Sequence, residues 1–502
     1  MIEGEEVKRA RLDSVREILQ GSPLPMFING EWHQGAKGEY LDVIDPASGE
    51  TLCAISAGTE VDVDLAVSTA SEAFHDGRWS QLRPDERAKA LHAWANLVER
   101  DQELLSELES LQTGKPIKEA RADVARAMDG IRFYAGCARN IRGETIDVSL
   151  EHHSYVVREP IGVVASIVPW NVPIVLTVSK ASPALAAGNT VIVKPSQATP
   201  LTALHLARLW QEAGLPKGVF TVLNGSGRTV GEALCVHPLI TGITFTGSTS
   251  TGLHLGALTA RMNKRVMLEL GGKSPNIIMA DADLSRAVPG AVNAIFFGQG
   301  QICAAGSRLL VQESVYEQVV QGVVECTQAI RIGDPLNEST EFGSLTSVEH
   351  REEVLQWVER AVHDGATIAA GGAAARVEGL LGGAFMQPTV LVDAKENDPV
   401  SCEEVFGPVL VVQRFTDEAD AIRLANASVF GLSAGVWTRD MGTARRVSRK
   451  LQTGVVWVND YGKFNSVMPF GGVKLSGSAH REWSHLALDS FLEHKSIWEW
   501  NG

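Results

Sequence analysis

The stretch Gly298–Arg308, GQGQICAAGSR, sets one cysteine, Cys303, among glycines, alanines and small polar residues. Gly298, Gly300, Ala304, Ala305 and Gly306 leave room for a ligand to reach the thiol, and GQGQ before a predicted strand suits a loop at a domain junction. Only the thiolate is strongly nucleophilic, so a base, a cation or a helix N-terminus must lie nearby; the sequence does not say which. A packed, inert cysteine is the alternative. Glu269, in LELGGKSP (268–275), ends a predicted strand and precedes two glycines. Its carboxylate could serve as a general base for the thiol or for water, or be a surface turn residue. Asn171, in VPWNVP (168–173), is held between Trp170 and Pro173. Its amide is a fixed neutral donor suited to an oxyanion, or a turn asparagine. Lys194 closes the run TVIVK; it could hold a ribose hydroxyl or be a solvated strand-end charge. FTGSTSTG (245–252) reads as a strand, a glycine-rich turn and a helix start, able to hold a pyrophosphate though it is not G-x-G-x-x-G. Cysteine, glutamate and asparagine beside dinucleotide-type turns fit a thiol that adds to a carbonyl, followed by hydride transfer to a nicotinamide.

The elements that must position these residues alternate regularly. Short β-rich runs lie at 162–168, 190–194, 219–223, 242–245 and 266–270, with helix-length segments between, such as Pro200 to Ala213. That pattern predicts βαβ units and a parallel sheet, which binds ligands at its strands' carboxyl ends. A second α/β stretch follows: 276–280, a helix to Phe297, 308–312, a helix from Ser314 to Ile330, then strands at 409–415 and 454–459. Arg83 to Leu111 carries one helical apolar stripe. Gly143 to Arg158 reads as an extended hairpin and SIWEW (496–500) as a strand; each is an edge strand or pairs with another subunit. TGKP (113–116) is a turn, since the upstream glycine of a Walker loop is missing. His152-His153 reads as solvated, and no metal is expected.

The 502 residues are 44% hydrophobic and 21% charged with a net charge of −15, the profile of a globular protein without a nucleic-acid surface. Six cysteines form no C-x-x-C pair and no disulfide framework. The N-terminus has no apolar leader run, and the apolar stretch Ile161 to Val193 is broken by prolines, asparagines and a lysine, so no membrane span is expected. A reducing, cytoplasmic setting follows as the expectation.

The chain resembles the aldehyde dehydrogenase superfamily over nearly its whole length, through VPWNVP, VIVKPS, FTGSTSTG, LELGGKSP, FFGQGQICAAGSR, EEVFGPVL and PFGGVKLSG in the family's order, with Glu269 and Cys303 34 residues apart. The resemblance implies an α/β fold in three parts: a Rossmann-like NAD(P)-binding domain (1–141 and 160–270), an α/β catalytic domain (271–478) and a small β oligomerisation arm (142–159 and 487–502) building a homodimer or homotetramer. It implies a small-molecule aldehyde substrate, NAD as cofactor with NADP possible, Cys303 as nucleophile, Asn171 with the Cys303 amide around the oxyanion, Glu269 as the base that hydrolyses a thioester, and Lys180 in the same catalytic group. It assigns Trp170, Lys194, Ser196, Gln197, Gly227, Thr246, Gly247, Ser248, Gly252, Leu270, Glu404 and Phe406 to the cofactor. It assigns Val172, Leu176, Ser179, Ile302, Asp460, Phe464 and Phe470 to the substrate pocket. A base at 269 disfavours the coenzyme-A-acylating branch.

Departures from the family's wording bear on specificity. Gln197 replaces a frequent glutamate, which opens the site to a 2′-phosphate. Gly298 stands for a common asparagine, and SGSAHREWSHLAL (476–488) lacks the usual glycine-arginine-glutamate order and is one residue longer. Val172 and Ser179 replace aromatic residues, which predicts a roomy tunnel. TGKPI, VREPIGV, LVVQRFT and VWTRD are similar to the bacterial branch acting on γ-glutamyl-γ-aminobutyraldehyde. Gln112 replaces an aspartate that would anchor a cationic substrate; Asp460 and Lys463 could line the entrance instead. A medium-sized amine-derived ω-aldehyde is the expected substrate, with aromatic or long aliphatic aldehydes as the alternative and a catalytically retired relative behind both.

Overall fold

The computed structural model describes residues 15, 17–478 and 480–502. The N-terminal segment read above as lacking a leader lies, up to residue 14, outside them. Val163–Ile167 and Thr190–Lys194 are buried along their whole lengths, as strands covered on both faces must be. Their side chains alternate between two cores: Val164, Val191 and Val193 pack with Trp94, Ile131 and Leu185 on one face, while Val163, Ala165 and Ile192 pack with Val63, Ala66 and Leu255 on the other. The sheet runs Arg265–Glu269, Ile240–Thr246, Val163–Ile167, Thr190–Lys194, Phe220–Val222 in parallel, and Met26–Ile28 and Glu31–His33 close it antiparallel. The apolar runs read from the sequence are thus its five parallel strands.

A second sheet runs Thr367–Ala370, Thr389–Val392, Val409–Phe415, Arg308–Gln312, Pro275–Ile278, Ser433–Trp437, Val455–Val458, parallel except at the Thr367–Ala370 edge. Leu270 to Ser274 joins the two sheets. The chain then returns. Gly477 bridges Glu269 and Glu482 bridges Phe470, so residues 470–478 and 480–482 lie against the end of the first sheet. The hairpin Glu144–Ser149 and His152–Pro160 is present, and the chain's end, Leu492–Trp500, pairs with it over nine residues from Leu492↔Pro160 to Trp500↔His152. Trp498 and Trp500 remain 59% and 72% exposed there.

One expectation needs correction. Arg83 to Leu111 is not a single helix but two, Pro84–Arg100 and Gln102–Thr113. The break is at Asp101, whose carboxylate is ion-paired with Arg100 and 2.8 Å from His205 Nε2 on the helix Leu201–Glu212. No proline or glycine marks the kink, and the residue that meets Asp101 there lies 104 positions away in sequence.

Candidate active site

The loop carrying Cys303 is fixed on several sides. Gly298 and Gln299 take left-handed conformations at φ 60° and 58°, which glycine adopts freely and glutamine only under constraint. The Gly298 amide donates to Glu119 Oε2 at 3.1 Å, and Gln301 Oε1 accepts from the Thr346 amide at 2.9 Å. Beyond the thiol, the Ala304 carbonyl accepts from Tyr461 Oη at 2.9 Å and from Ser433 Oγ at 3.2 Å. Cys303 itself is half-buried and free.

Asn171 reaches the same loop. Its Nδ2 donates to the Gln301 carbonyl at 2.8 Å while the side chain stays 8% exposed. An amide nitrogen carries two hydrogens; this bond engages one and fixes the direction of the other. Helix Pro173–Ala187 starts directly after it, and the Ile174 amide is held by Glu109 Oε1 at 3.2 Å.

Glu269 ends its strand, 3% exposed. The two following glycines permit a close approach. A side chain at Gly271 would meet Glu404 Oε2 at 2.2 Å, and one at Gly272 the Cys303 carbonyl at 2.4 Å. Glu404 Oε1 accepts from the Gly272 amide at 2.8 Å, so Glu404, Glu269 and Cys303 form one cluster. Burial and the nearby Glu482 push the Glu269 carboxyl well up, and Lys180, Arg481 and the weak pull of the Gly472 amide only partly offset them. Burial, then Glu404, Glu269 and Glu482, push the Cys303 thiol up to about 12, and burial brings Glu404 to about 7. The resting site therefore favours a neutral Glu269 and a neutral thiol, with Glu404 divided between acid and carboxylate near neutral pH.

Lys180 is fully buried; its ammonium is ion-paired with Glu482 and donates to Thr244 Oγ1 at 3.2 Å. Glu482 is the partner that sequence reasoning missed. It lies 302 residues away, and only the shared buried charge could have hinted that Lys180 needed one.

The residues expected at a cofactor gather at the carboxyl ends of the first sheet. Lys194 is buried, bonded among the described residues only to the next carbonyl, at Pro195, and burial lowers its ammonium to about 8. Thr246 keeps a buried hydroxyl with no partner among the described residues. Ser248 caps the helix Thr249–Ala260 and accepts from the Thr251 amide, while Gly252 sits against Leu270. Ser196 accepts from the Ala198 amide at 3.3 Å, and Gln197 is exposed. Gly227 opens an exposed turn capped by Ser226. Trp170 and Phe406 meet edge to face at 5.3 Å, and His350 braces the pair.

The expected substrate-pocket residues divide. Val172, Leu176 and Phe470 are half-buried together at the edge of the first core. Phe464 stacks on Phe470 at 5.4 Å and on Trp457 at 5.6 Å, with Arg126 over its ring. Ile302 is half-buried beside the thiol, Asp460 accepts from the Tyr461 amide, and Lys463 is exposed. Ser179 is 2% exposed and its hydroxyl faces Leu176 O and Glu482. Gln112 also faces inward, bonded to Glu109, Thr202 and the Leu201 amide, so the position it occupies is a core position and not an entrance. TGKP is a turn as read, with Gly114 left-handed after a helix, but Lys115 beside it is buried and ion-paired with Asp123 at 2.6 Å.

Among the described residues no three His, Cys, Asp or Glu side chains are grouped to hold a metal, and no helix is long and apolar enough to cross a membrane. The model of the Aldehyde dehydrogenase family matches residues 32–497, and the chain belongs to that family. It is 44% identical to the NADP/NAD-dependent aldehyde dehydrogenase PuuC of Escherichia coli, over 94% of this chain and 95% of that one. It is 42% identical to an aldehyde dehydrogenase of Emericella nidulans, over 96% of each. The NAD+ complex of a Bacillus cereus aldehyde dehydrogenase superposes with a TM-score of 0.95 at 41% identity, covering 97% of this chain and 99% of that one.

Proposed function

We propose that the protein oxidises an aldehyde to its carboxylic acid with a nicotinamide dinucleotide, through a covalent bond to Cys303. The observation that carries this reading is the Asn171 amide, fixed by one hydrogen on the Cys303 loop with its second hydrogen left to receive an oxyanion. Cys303 Sγ attacks the carbonyl carbon and its proton passes to a neighbouring carboxylate or water. The oxygen, now negative, lies between Asn171 and the Cys303 amide. When bound, the dinucleotide would supply the acceptor for the hydride whose loss from the carbon turns the adduct into a thioester. Glu269 then takes a proton from a water that attacks the thioester carbon; the C–S bond breaks and the acid leaves.

The described residues fit that dinucleotide. The Thr246 hydroxyl is an orphan awaiting a partner, the buried Lys194 lacks a carboxylate, and the first amides of the helix Thr249–Ala260 have no i−4 carbonyl. Lys194 would hold ribose hydroxyls, the Gly247–Ser248 turn the pyrophosphate, and Glu404 with Phe406 the nicotinamide side. With Gln197 exposed and uncharged, both NAD+ and NADP+ are accepted, in keeping with the naming of PuuC.

The substrate is a medium-sized amine-derived ω-aldehyde of the γ-glutamyl-γ-aminobutyraldehyde type, supported by the shared wording and by the small side chain of Val172. The domain division at 141, 160, 270 and 478, a cytoplasmic setting and a homodimer or homotetramer joined through the hairpin and the exposed Trp498 and Trp500 belong to the same reading.

The test is nicotinamide reduction by the purified protein, with each dinucleotide, across a panel of amino, aromatic and aliphatic aldehydes. Cys303→Ala should abolish turnover with the fold kept, and Glu269→Gln should slow acyl-enzyme hydrolysis; substantial turnover by Cys303→Ala would overturn the mechanism.

A further inference from the structure

His480 lies in the segment that departs from the family's wording. Its Nε2 is 3.5 Å from Glu269 Oε1, with side-chain exposures of 9% and 4%. Neither that nitrogen nor either Glu269 oxygen has a partner of hydrogen-bond geometry among the described residues; the Gly472 amide acts on Glu269 but falls short of a bond. Each of the three orphan atoms carries a desolvation cost, and one proton shared between Nε2 and Oε1 removes two of the three. The Ser478 hydroxyl, 2.8 Å from His480 Nδ1, can accept a hydrogen bond from an Nδ1–H and so leave the Nε2 lone pair facing the carboxyl.

We propose that His480 is a positioning residue for the base: its neutral Nε2 accepts from the protonated Glu269 and holds the carboxyl in a resting place beside Cys303. This rests on Glu269 being the base. Glu482, Lys180 and Arg481 act on both groups; burial raises the carboxyl and lowers the imidazole to about 4, so the proton belongs to Glu269. A side chain at Gly471 would meet Glu269 Oε1 at 2.6 Å, which shows how closely the Gly471 backbone approaches that oxygen. To act on water, Glu269 must leave His480 and give up its proton. His480 thereby sets the pH above which the base works.

The test compares His480→Leu, which has no acceptor, with His480→Gln, which keeps one, in the full-length enzyme. His480→Leu should move the acidic limb of kcat about one pH unit lower, because the acid form of Glu269 loses its partner. KM for the dinucleotide should stay within about twofold, and His480→Gln should restore the limb. In a Glu269→Gln background His480→Leu should add nothing. An infrared difference between wild type and Glu269→Gln at neutral pH needs no histidine variant; it should show a protonated carboxyl band. Absence of the band, or a limb identical in both histidine variants and wild type, overturns the proposal. An effect of His480→Leu that persists without the Glu269 carboxylate overturns it too. Unchanged acyl-enzyme hydrolysis in Glu269→Gln would instead remove the base assignment, and the proposal with it.

Discussion

Glu119 offers a stability test that reads the wall behind the Cys303 loop. It is 8% exposed, accepts from the Gly298 amide and shares its surroundings with the buried Lys115–Asp123 pair. Burial is the main cause raising its carboxyl to about 8; Lys115 and the Gly298 amide oppose it, and Asp123 adds to it. In the unfolded chain the same group titrates at 4.5. Between those values the folded state keeps a proton that the unfolded state releases, so stability is fully present below pH 4.5 and is lost as pH rises through 8. At about 1.4 kcal/mol per unit, the window amounts to roughly 5 kcal/mol. Glu119→Gln keeps an oxygen for the Gly298 amide and does not titrate. By differential scanning fluorimetry, variant and wild type should melt together near pH 5. Near pH 9 the variant should melt ~5–10 °C higher, given a few degrees per kcal/mol in large domains. A difference in Tm that is the same at both pH values would refute the assignment of a buried, protonated Glu119.

Gly272→Ala should drive the Cys303 carbonyl from its place, since the added carbon would lie 2.4 Å from it. A displacement of that kind costs about 100-fold in kcat/KM, and slowed labelling of the Cys303 thiol would locate the cause. Lys180→Met should leave Glu482 charged and unpaired beside Glu269, a loss of about 3–5 kcal/mol seen in denaturant midpoints. The double variant Lys180→Met with Glu482→Leu should recover much of that stability but not activity.

Much of the scaffold was legible because parallel strands covered on both faces are nearly continuous apolar runs; Val163–Ile167 and Val409–Phe415 lie where the sequence places strands. Cys303, Glu269 and Asn171 were legible because small neighbours and strand ends mark places that ligands reach. Their partners were not. Nothing local to Lys180 names Glu482, nothing in TGKP shows that Lys115 is buried against Asp123, and nothing near Asp101 announces His205. Such pairs exist only once distant segments meet, so charge burial is written in the fold rather than in any window of sequence. Gln112 illustrates the converse: a position read from its wording as a lost substrate anchor is a core position bonded to Glu109 and Thr202.

The return of residues 470–478 and 480–482 to the end of the first sheet has a consequence for synthesis. A chain made from its N-terminus carries the Cys303 thiol long before Glu482 and His480 exist. Until those last segments dock, Lys180 has no counter-ion and Glu269 is not enclosed, so a growing chain holds an ordinary thiol in an unfinished pocket. Docking brings Glu482 near the thiol as one of the charges that hold it neutral, so the nucleophile is quieted only once distant parts of the chain have met.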